Sequence, residues 1–279
     1  MLRNPTIYVI GLCFGRQNIA GMLDVADQFC DINFPSHKIT RIVVDNSLLN
    51  KTEQSISRYA YISGDNTNHE FSGWQSGIDF VLKNFSPSSN DVCILVNDTV
   101  HQRNYAIGGD RYFESFVIRR SSSFWPERWA AGYVDDFPTE ASIFGYPVKK
   151  WIRSNFIVFN WSCVDLITPL VVPCDENSLF ADDISHGFWS GDAPLSPNWK
   201  AYISSWLFGN EDPRYPEYLL KWIKHQKLTP DNLNFFRKKS VSILSEHYLT
   251  ARLLRGGVDI YDFNSFPKPL DRHLTPYYK

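Results

Sequence analysis

The stretch "CILVNDTVHQRN" at residues 93–104 joins an apolar run to Asn97, Asp98 and Thr99, with His101 and Arg103 just behind. A carboxylate at a strand tip can hold a hard divalent cation, and such a cation can neutralise a phosphate group. The same residues also make an ordinary polar strand cap. Two other apolar runs end in acids: "RIVVDNS" (41–47) at Asp45 and Asn46, and "SRYAYISGDN" (57–66) at Asp65. Far along the chain, "SEHYLTARLLRGG" (245–257) presents Glu246 and His247. With Ser245 as N-cap, Glu246 would sit in a first helical turn, where the dipole favours the anion and suits a general base. A first-turn acid that only stabilises its helix reads the same way. "GNEDPRYPE" (209–217) holds a rival pair, Glu211 and Asp212.

The elements that must position these residues follow from periodicity. "TIYVIGLCF" (6–14), "ITRIVVDNS" (39–47), "SRYAYISGDN" (57–66) and "DVCILVNDTV" (91–100) read as strands. Ile19, Met22, Leu23, Ala26 and Phe29 recur at helical spacing, as do Phe71, Trp74, Ile78, Val81, Leu82 and Phe85, with Ser72 and Gln75 as a capping box. Strands alternating with helices imply an α/β fold with a doubly wound, largely parallel sheet. Ligands of such sheets collect beyond the carboxyl ends of the strands, where Asp45, Asp65 and Asp98 all fall.

The second half is less regular. Residues 115–138 read as largely loop, with Pro126 and Pro138 as breakers, and 140–160 as two short strands joined near Pro147. Cys163 to Leu170 reads as a short helix, 173–200 as a long loop or lid, 215–228 and 245–257 as helices, and "VDIYDF" as a last strand before a surface tail.

With 43% apolar and 21% charged residues and a net charge of −2, the composition is that of an ordinary globular domain and gives no electrostatic case for nucleic-acid binding. The five cysteines lack metal-ligand spacing, which points to reduced thiols and a cytoplasmic setting, and no apolar run reaches the ~20 residues needed to cross a bilayer.

Taken in order, these segments resemble the glycosyltransferases of the GT-A (Rossmann-like) fold, near the inverting family-2-like group, and are similar to its bacterial rhamnan-synthesis/O-antigen branch. "RIVVDNS" resembles the family's second strand, whose terminal acid meets the nucleotide. "GWQSGID" (73–79) resembles the helix start beside the donor, and "LVNDTV" stands where the family carries its D-x-D metal motif, thinned here to one acid. "WIRSNFIVF" (151–159) is similar to a serine-containing strand of the rhamnan branch, and "SEHYLTARLLRGGVDI" to the late helix with the catalytic base.

The resemblance implies a mostly parallel sheet with helices on both faces plus C-terminal helices, in a single domain over 1–262. Its 1–110 half would bind nucleotide-sugar, its 111–262 half would take the acceptor and carry catalysis, and 263–279 would be a tail. It implies transfer of a sugar, such as activated rhamnose, from a nucleotide-diphosphate donor to a bacterial surface polysaccharide of O-antigen or capsule type, at the inner face of the membrane. Donor contacts would be Asp45, Asn46, Asp65, Gly73, Trp74, Asp79, Asn97 and Asp98. Asp98 would hold Mg²⁺ or Mn²⁺, Arg153 and Trp151 would serve the acceptor or phosphate, and Glu246 or His247 would be the base. Two alternatives stay open: a carbohydrate-binding protein that kept the fold without activity, and a nucleotidyltransferase.

Overall fold

The computed structural model describes residues 4–48, 50, 53–56, 58–100, 128–209, 212–218, 222 and 224–263. Eight strands form one sheet: β1 (Thr6–Cys13), β2 (Lys38–Asp45), β3 (Glu53–Ile56), β4 (Tyr59–Ser63), β5 (Val92–Asn97), β6 (Trp129–Ile143), β7 (Tyr146–Asn160) and β8 (Asp259–Asp262). Their spatial order is β3-β4-β2-β1-β5-β7-β6-β8. The run β4-β2-β1-β5 is parallel, while β3 and β7 enter antiparallel and β8 pairs parallel with β6. This is the expected α/β architecture, with parallel pairings in the majority. Register matching sets Cys13 beside Asp45, Asp45 beside Ser63 and Leu12 beside Asn97, so the parallel strands finish along one edge.

Helices cover both faces. Helix α1 (Ile19–Asn33) lays Ile19, Met22, Ala26 and Phe29 against Val9, Val43, Ile94 and Val96. On the other face, α2 (His69–Asn84) presents Phe71, Trp74, Ile78 and Val81 to Ile10, Val44 and Leu95. The capping box expected at Ser72 and Gln75 is absent. The helix begins at His69, Ser72 Oγ accepts from the Asn68 N–H, and the Gln75 amide serves Asp79 and the Leu170 N–H.

The short α3 (Val164–Ile167) and α4 (Glu176–Leu179) precede α5 (Pro197–Phe208) and α6 (Leu233–Arg255). Both α5 and the length of α6 depart from the sequence reading. Helix α5 starts inside the expected lid, with Pro197 in its first turn and Gly209 in the left-handed region at its end (φ 68°). Helix α6 begins twelve residues before Ser245, because Phe236, Val241 and Leu244 pack into a third core with α5 and the outer ends of β6 and β7. The helix expected over 215–228 is not formed at its described residues. There the Trp222 N–H bonds to the Trp206 carbonyl (2.8 Å) and the Gln226 N–H to that of Leu207 (3.3 Å), so this segment makes isolated turns tied to α5.

The stretch expected as loop before residue 138 belongs, from Trp129, to β6, which carries Pro138 in an irregularity of its ladder. Its hairpin with β7 turns at Phe144-Gly145, both at positive φ (49° and 77°), the pair that a two-residue hairpin requires. A second irregularity matters more. Between the pairs Gly132–Ile157 and Val134–Ile152, β6 advances two residues while β7 advances five, so Arg153, Ser154 and Asn155 bulge out of the ladder beside the tip of β5.

Close contact between α2 and the sheet rests on two glycines. A Cβ on Gly77 would lie 2.3 Å from Ile10 Cγ2, and one on Gly73 2.3 Å from Leu12 Cδ1. In Gly77→Ala, the ~1 kcal/mol gain in helix propensity is outweighed by overpacking of ~1–3 kcal/mol against a branched, stiff side chain. Urea denaturation should show a net loss of ~1 kcal/mol; a net gain would mean that the helix does not seat this closely.

Candidate functional site

The carboxyl edge of the sheet gathers acids of two kinds. Asp45 is only 1% exposed and fully engaged: Oδ1 accepts the N–H groups of Gly15 (3.0 Å) and Ser47 (2.8 Å), and Oδ2 accepts the Tyr61 hydroxyl. Burial works against its charge, but the bonds from Tyr61, Gly15 and Ser47 prevail and hold its pKa below the ordinary carboxylate value. Arg16 extends the cluster, its Nε donating to Tyr61 (3.3 Å) and its guanidinium lying 4.8 Å over that ring. Asn46 donates to the His69 carbonyl (2.8 Å) and to Asn66 (3.3 Å), tying β2 to the start of α2, while its buried Oδ1 finds no partner. Asp45 and Asn46 therefore shape the rim.

Asn97 behaves like Asp45. Its Oδ1 accepts the Thr99 N–H and hydroxyl, and its Nδ2 reaches the Ser154 carbonyl (3.3 Å) in the β7 bulge. Asp98 is different. It is partly exposed, Oδ2 accepts the Phe14 N–H (3.1 Å), and Oδ1 has no hydrogen bond among the described residues. No three His, Cys, Asp or Glu side chains converge on a metal position among the described residues. The donor set therefore fits a cation only as a single oxygen ligand, Asp98, with a bound phosphate supplying others.

Glu246 lies on the same edge, reached from α6. It is in the middle of the helix rather than its first turn, and Ser245, far from capping anything, bonds back to Val241 and accepts the Val172 N–H. The dipole account of its charge is thereby replaced by another. Ser154 lies close enough to the Glu246 carboxylate for its hydroxyl and N–H to favour the anion. Burial, aided by the negative charge of Glu70, nonetheless raises its pKa to about 7, against the opposing pull of Ser154 and Lys239. Glu70 is the acid that does occupy a first turn, that of α2. Burial would raise its pKa too, but Lys239 and the Ser242 hydroxyl (3.0 Å) hold it below the ordinary value. Lys239, Ser242 and Glu246 recur at helical spacing and form one stripe of α6 facing α2 and β7.

The remaining candidates divide plainly. His247 turns away from this stripe into the third core. Its ring is 2% exposed, Nδ1 accepts the Trp199 indole N–H (3.0 Å), and burial lowers its pKa to about 3, so it is a neutral core histidine. Trp151 packs between Phe137 and His247 in that core. Trp74 is fully buried, its indole N–H on the Val96 carbonyl (3.3 Å), and Gly73 faces Leu12 and Asn46. Arg153 makes a two-pronged pair with Asp135 of β6 (2.7 and 2.5 Å). Tyr202 of α5 lies within electrostatic range of that pair and of Glu246. Asp65 accepts from Thr67, and Asp79 from Gln75; both line a cleft of about 450 Å³ between α2 and the β3–β4 edge. Asp212 pairs with Arg214 at 2.7 Å on the surface. His101, Arg103 and Glu211 lie outside the described residues.

Sequence reading missed Glu70, Lys239, Ser242, Ser154 and Tyr202. Glu70 left a trace, since an acid at the start of the best-formed helix is a first-turn signal. The others depend on the bulge and on the true start of α6, neither of which local spacing encodes.

The raised pKa of Glu246 has a consequence for stability. The folded state holds this proton up to about pH 7 and an unfolded glutamate only to ~4.3, so the contribution is full below that lower value and is lost as pH rises through 7. Urea midpoints of the wild type should fall between pH 5 and 8, and Glu246→Gln should flatten that fall. Parallel profiles for the two proteins would refute the placement of Glu246 beside Glu70.

No family model and no curated protein matches the sequence. Among solved structures, one described as the galactosyltransferase LgtC in complex with donor and acceptor sugar analogues aligns over 86% of this chain and 95% of its own, at 10% identity and a TM-score of 0.30. A superposition that loose carries no weight for fold or function.

Proposed function

We propose that the chain transfers a glycosyl group from a nucleoside-diphosphate sugar to a carbohydrate acceptor. One observation carries this reading: Asp98 from the tip of β5 and Glu246 from α6 lie on the same sheet edge, bridged by Asn97 and Ser154. A carboxylate with an open oxygen and a second carboxyl tuned near neutrality are the two groups that such a transfer needs. Residues 1–110 would then form the nucleotide half and 111–262 the acceptor half.

In this reading the acceptor hydroxyl sits against Glu246. As its oxygen attacks the anomeric carbon, the bond from that carbon to the diphosphate breaks and the proton passes to the Glu246 carboxylate. A pKa near 7 leaves a substantial fraction of Glu246 ionised at neutral pH while keeping it basic enough to take the proton. Ionised Glu70 sustains that basicity, and Ser154 holds the carboxylate in place. Asp98 would hold a divalent cation, which supplies charge neutralisation for the departing phosphate. Inversion at carbon, activated rhamnose as donor, O-antigen or capsule as acceptor, and work at the cytoplasmic face of a membrane follow from the sequence resemblance.

A second reading is favoured by one fact: Glu246 sits against Ser154 of the β7 bulge, a place it would keep in a protein that binds glycans without turnover. Titration with UDP, GDP and dTDP, with and without Mn²⁺, separates the two. The transferase requires diphosphate binding that Mn²⁺ strengthens and Asp98→Ala abolishes. Glu246→Gln should leave that binding intact and slow transfer by ~10² or more. Glycan binding with no response to any nucleotide would leave only the second reading.

A further inference from the structure

The first turns of α6 and the segment before them carry an arrangement that the core and the candidate site explain only in part. Between residues 224 and 239 stand five basic side chains, Lys224, Lys227, Arg237, Lys238 and Lys239, against one acid, Asp231, in a chain whose net charge is −2. Three of the five stand in the second turn of the helix, and its first turn has no acid beside them. Arg237 serves the fold, donating to the Ala181 carbonyl and lying over Phe180, and Lys239 faces Glu70, whereas Lys224, Lys227 and Lys238 form no ion pair among the described residues.

The same surface displays aromatic rings. Trp206, Trp222 and Phe235 stack nearly parallel, with centroids 5.3 and 6.3 Å apart and interplanar angles of 19° and 10°. Phe235 ends the ladder with half of its surface exposed. Lys238 is one helical turn from Phe235 on the same side, and the Lys239 ammonium lies 5.8 Å from the Trp222 ring. Lys227 is tied to the patch because its carbonyl accepts from Asn232, the N-cap residue of α6 (2.9 Å). Lys224, Lys227 and Lys238 are all exposed.

We infer that this face docks on an anionic lipid surface, with Phe235 entering the headgroup layer and the lysines around it meeting lipid phosphates. Lysines that splay around an apolar ring, rather than converge on a point, match a two-dimensional sheet of negative charge and not a single soluble phosphate. Their alkyl stems lie along the interface while the ammonium groups stay wet. Because Lys239, Ser242 and Glu246 continue the same helix, docking would hold the carboxyl edge of the sheet close to the membrane. The inference does not depend on the chemistry proposed above, since charge and exposure alone carry it.

Co-sedimentation of the full chain with vesicles tests it. Vesicles of phosphatidylcholine with about one-third phosphatidylglycerol should retain the protein, and pure phosphatidylcholine should not. Raising the salt to about 0.5 M should release it. Lys224→Glu combined with Lys238→Glu should cut the bound fraction about tenfold, and Phe235→Ser severalfold, while Phe235→Trp retains binding. These side chains lie outside the candidate site and on the surface, so unchanged melting curves will show that the variants are folded. Equal binding to both vesicle types would overturn the inference. So would retention unaffected by the variants, or binding to heparin or single-stranded DNA without binding to vesicles.

Discussion

The break in the β6–β7 ladder is the constraint around which the candidate site is built. Three residues of β7 leave the ladder beside the tip of β5, in a largely buried setting where a backbone donor needs a partner. Each unpaired donor would cost about 1–3 kcal/mol. Helix α6 answers with two side chains one turn apart: the Thr250 hydroxyl accepts the Ile152 N–H (2.9 Å), and the Glu246 carboxylate lies close to Ser154. A helix able to do this must cross the sheet at this height, which explains why α6 runs so far in advance of the segment carrying the catalytic-type motif.

That geometry also settles the electrostatics. A carboxylate brought under a helix to cap a strand is desolvated, and a second carboxylate, Glu70, arrives from the start of α2 because Asn46 fixes that turn to β2. Two acids and one lysine share the space. Lys239 and Ser242 favour the anion of Glu70, so the remaining strain falls on Glu246, which takes up a proton near neutrality. Two carboxyls with pKa values driven apart by their surroundings are the usual arrangement for proton transfer. Here the separation follows from packing alone, whatever the substrate.

The parallel half of the fold was legible because each element there announces itself locally. Apolar runs placed β1 and β2 to within two residues and located β4 and β5 inside longer expected strands, and the stripe from Phe71 to Val81 located α2. The second half resisted for identifiable reasons. Ser196-Pro197 and Gly209 bracket α5 with sound start and stop signals, but the apolar face between them is diluted by Asn198, Lys200 and two serines. The 23 residues of α6 look like a short helix because its first half is polar where it meets solvent and Glu70. Only tertiary packing shows that the third core draws on aromatic rings scattered from Phe137 to Phe236. Asp98 and Glu246 could be named from the sequence. Glu70 and Ser154, which give Glu246 its proton affinity and its position, could not.

The strand-tip acids show why residue type alone is a weak guide to a site. Asp45 and Asp98 stand at the ends of β2 and β5, the two strands that flank β1, and both satisfy a backbone N–H of the loop after β1: Asp45 that of Gly15, Asp98 that of Phe14. They differ in what is left over. Asp45 meets three donors and is sealed under Tyr61, so its negative charge is already balanced by fixed dipoles before any ligand arrives. Asp98 meets one among the described residues and is partly exposed. A buried, satisfied carboxylate stiffens the loop that a ligand would touch; a half-satisfied, partly exposed one still has affinity to offer. The loop between Cys13 and Arg16 is held by both, so the acid that organises the rim and the acid that faces outward are mechanically one unit, and neither could be altered without moving the other.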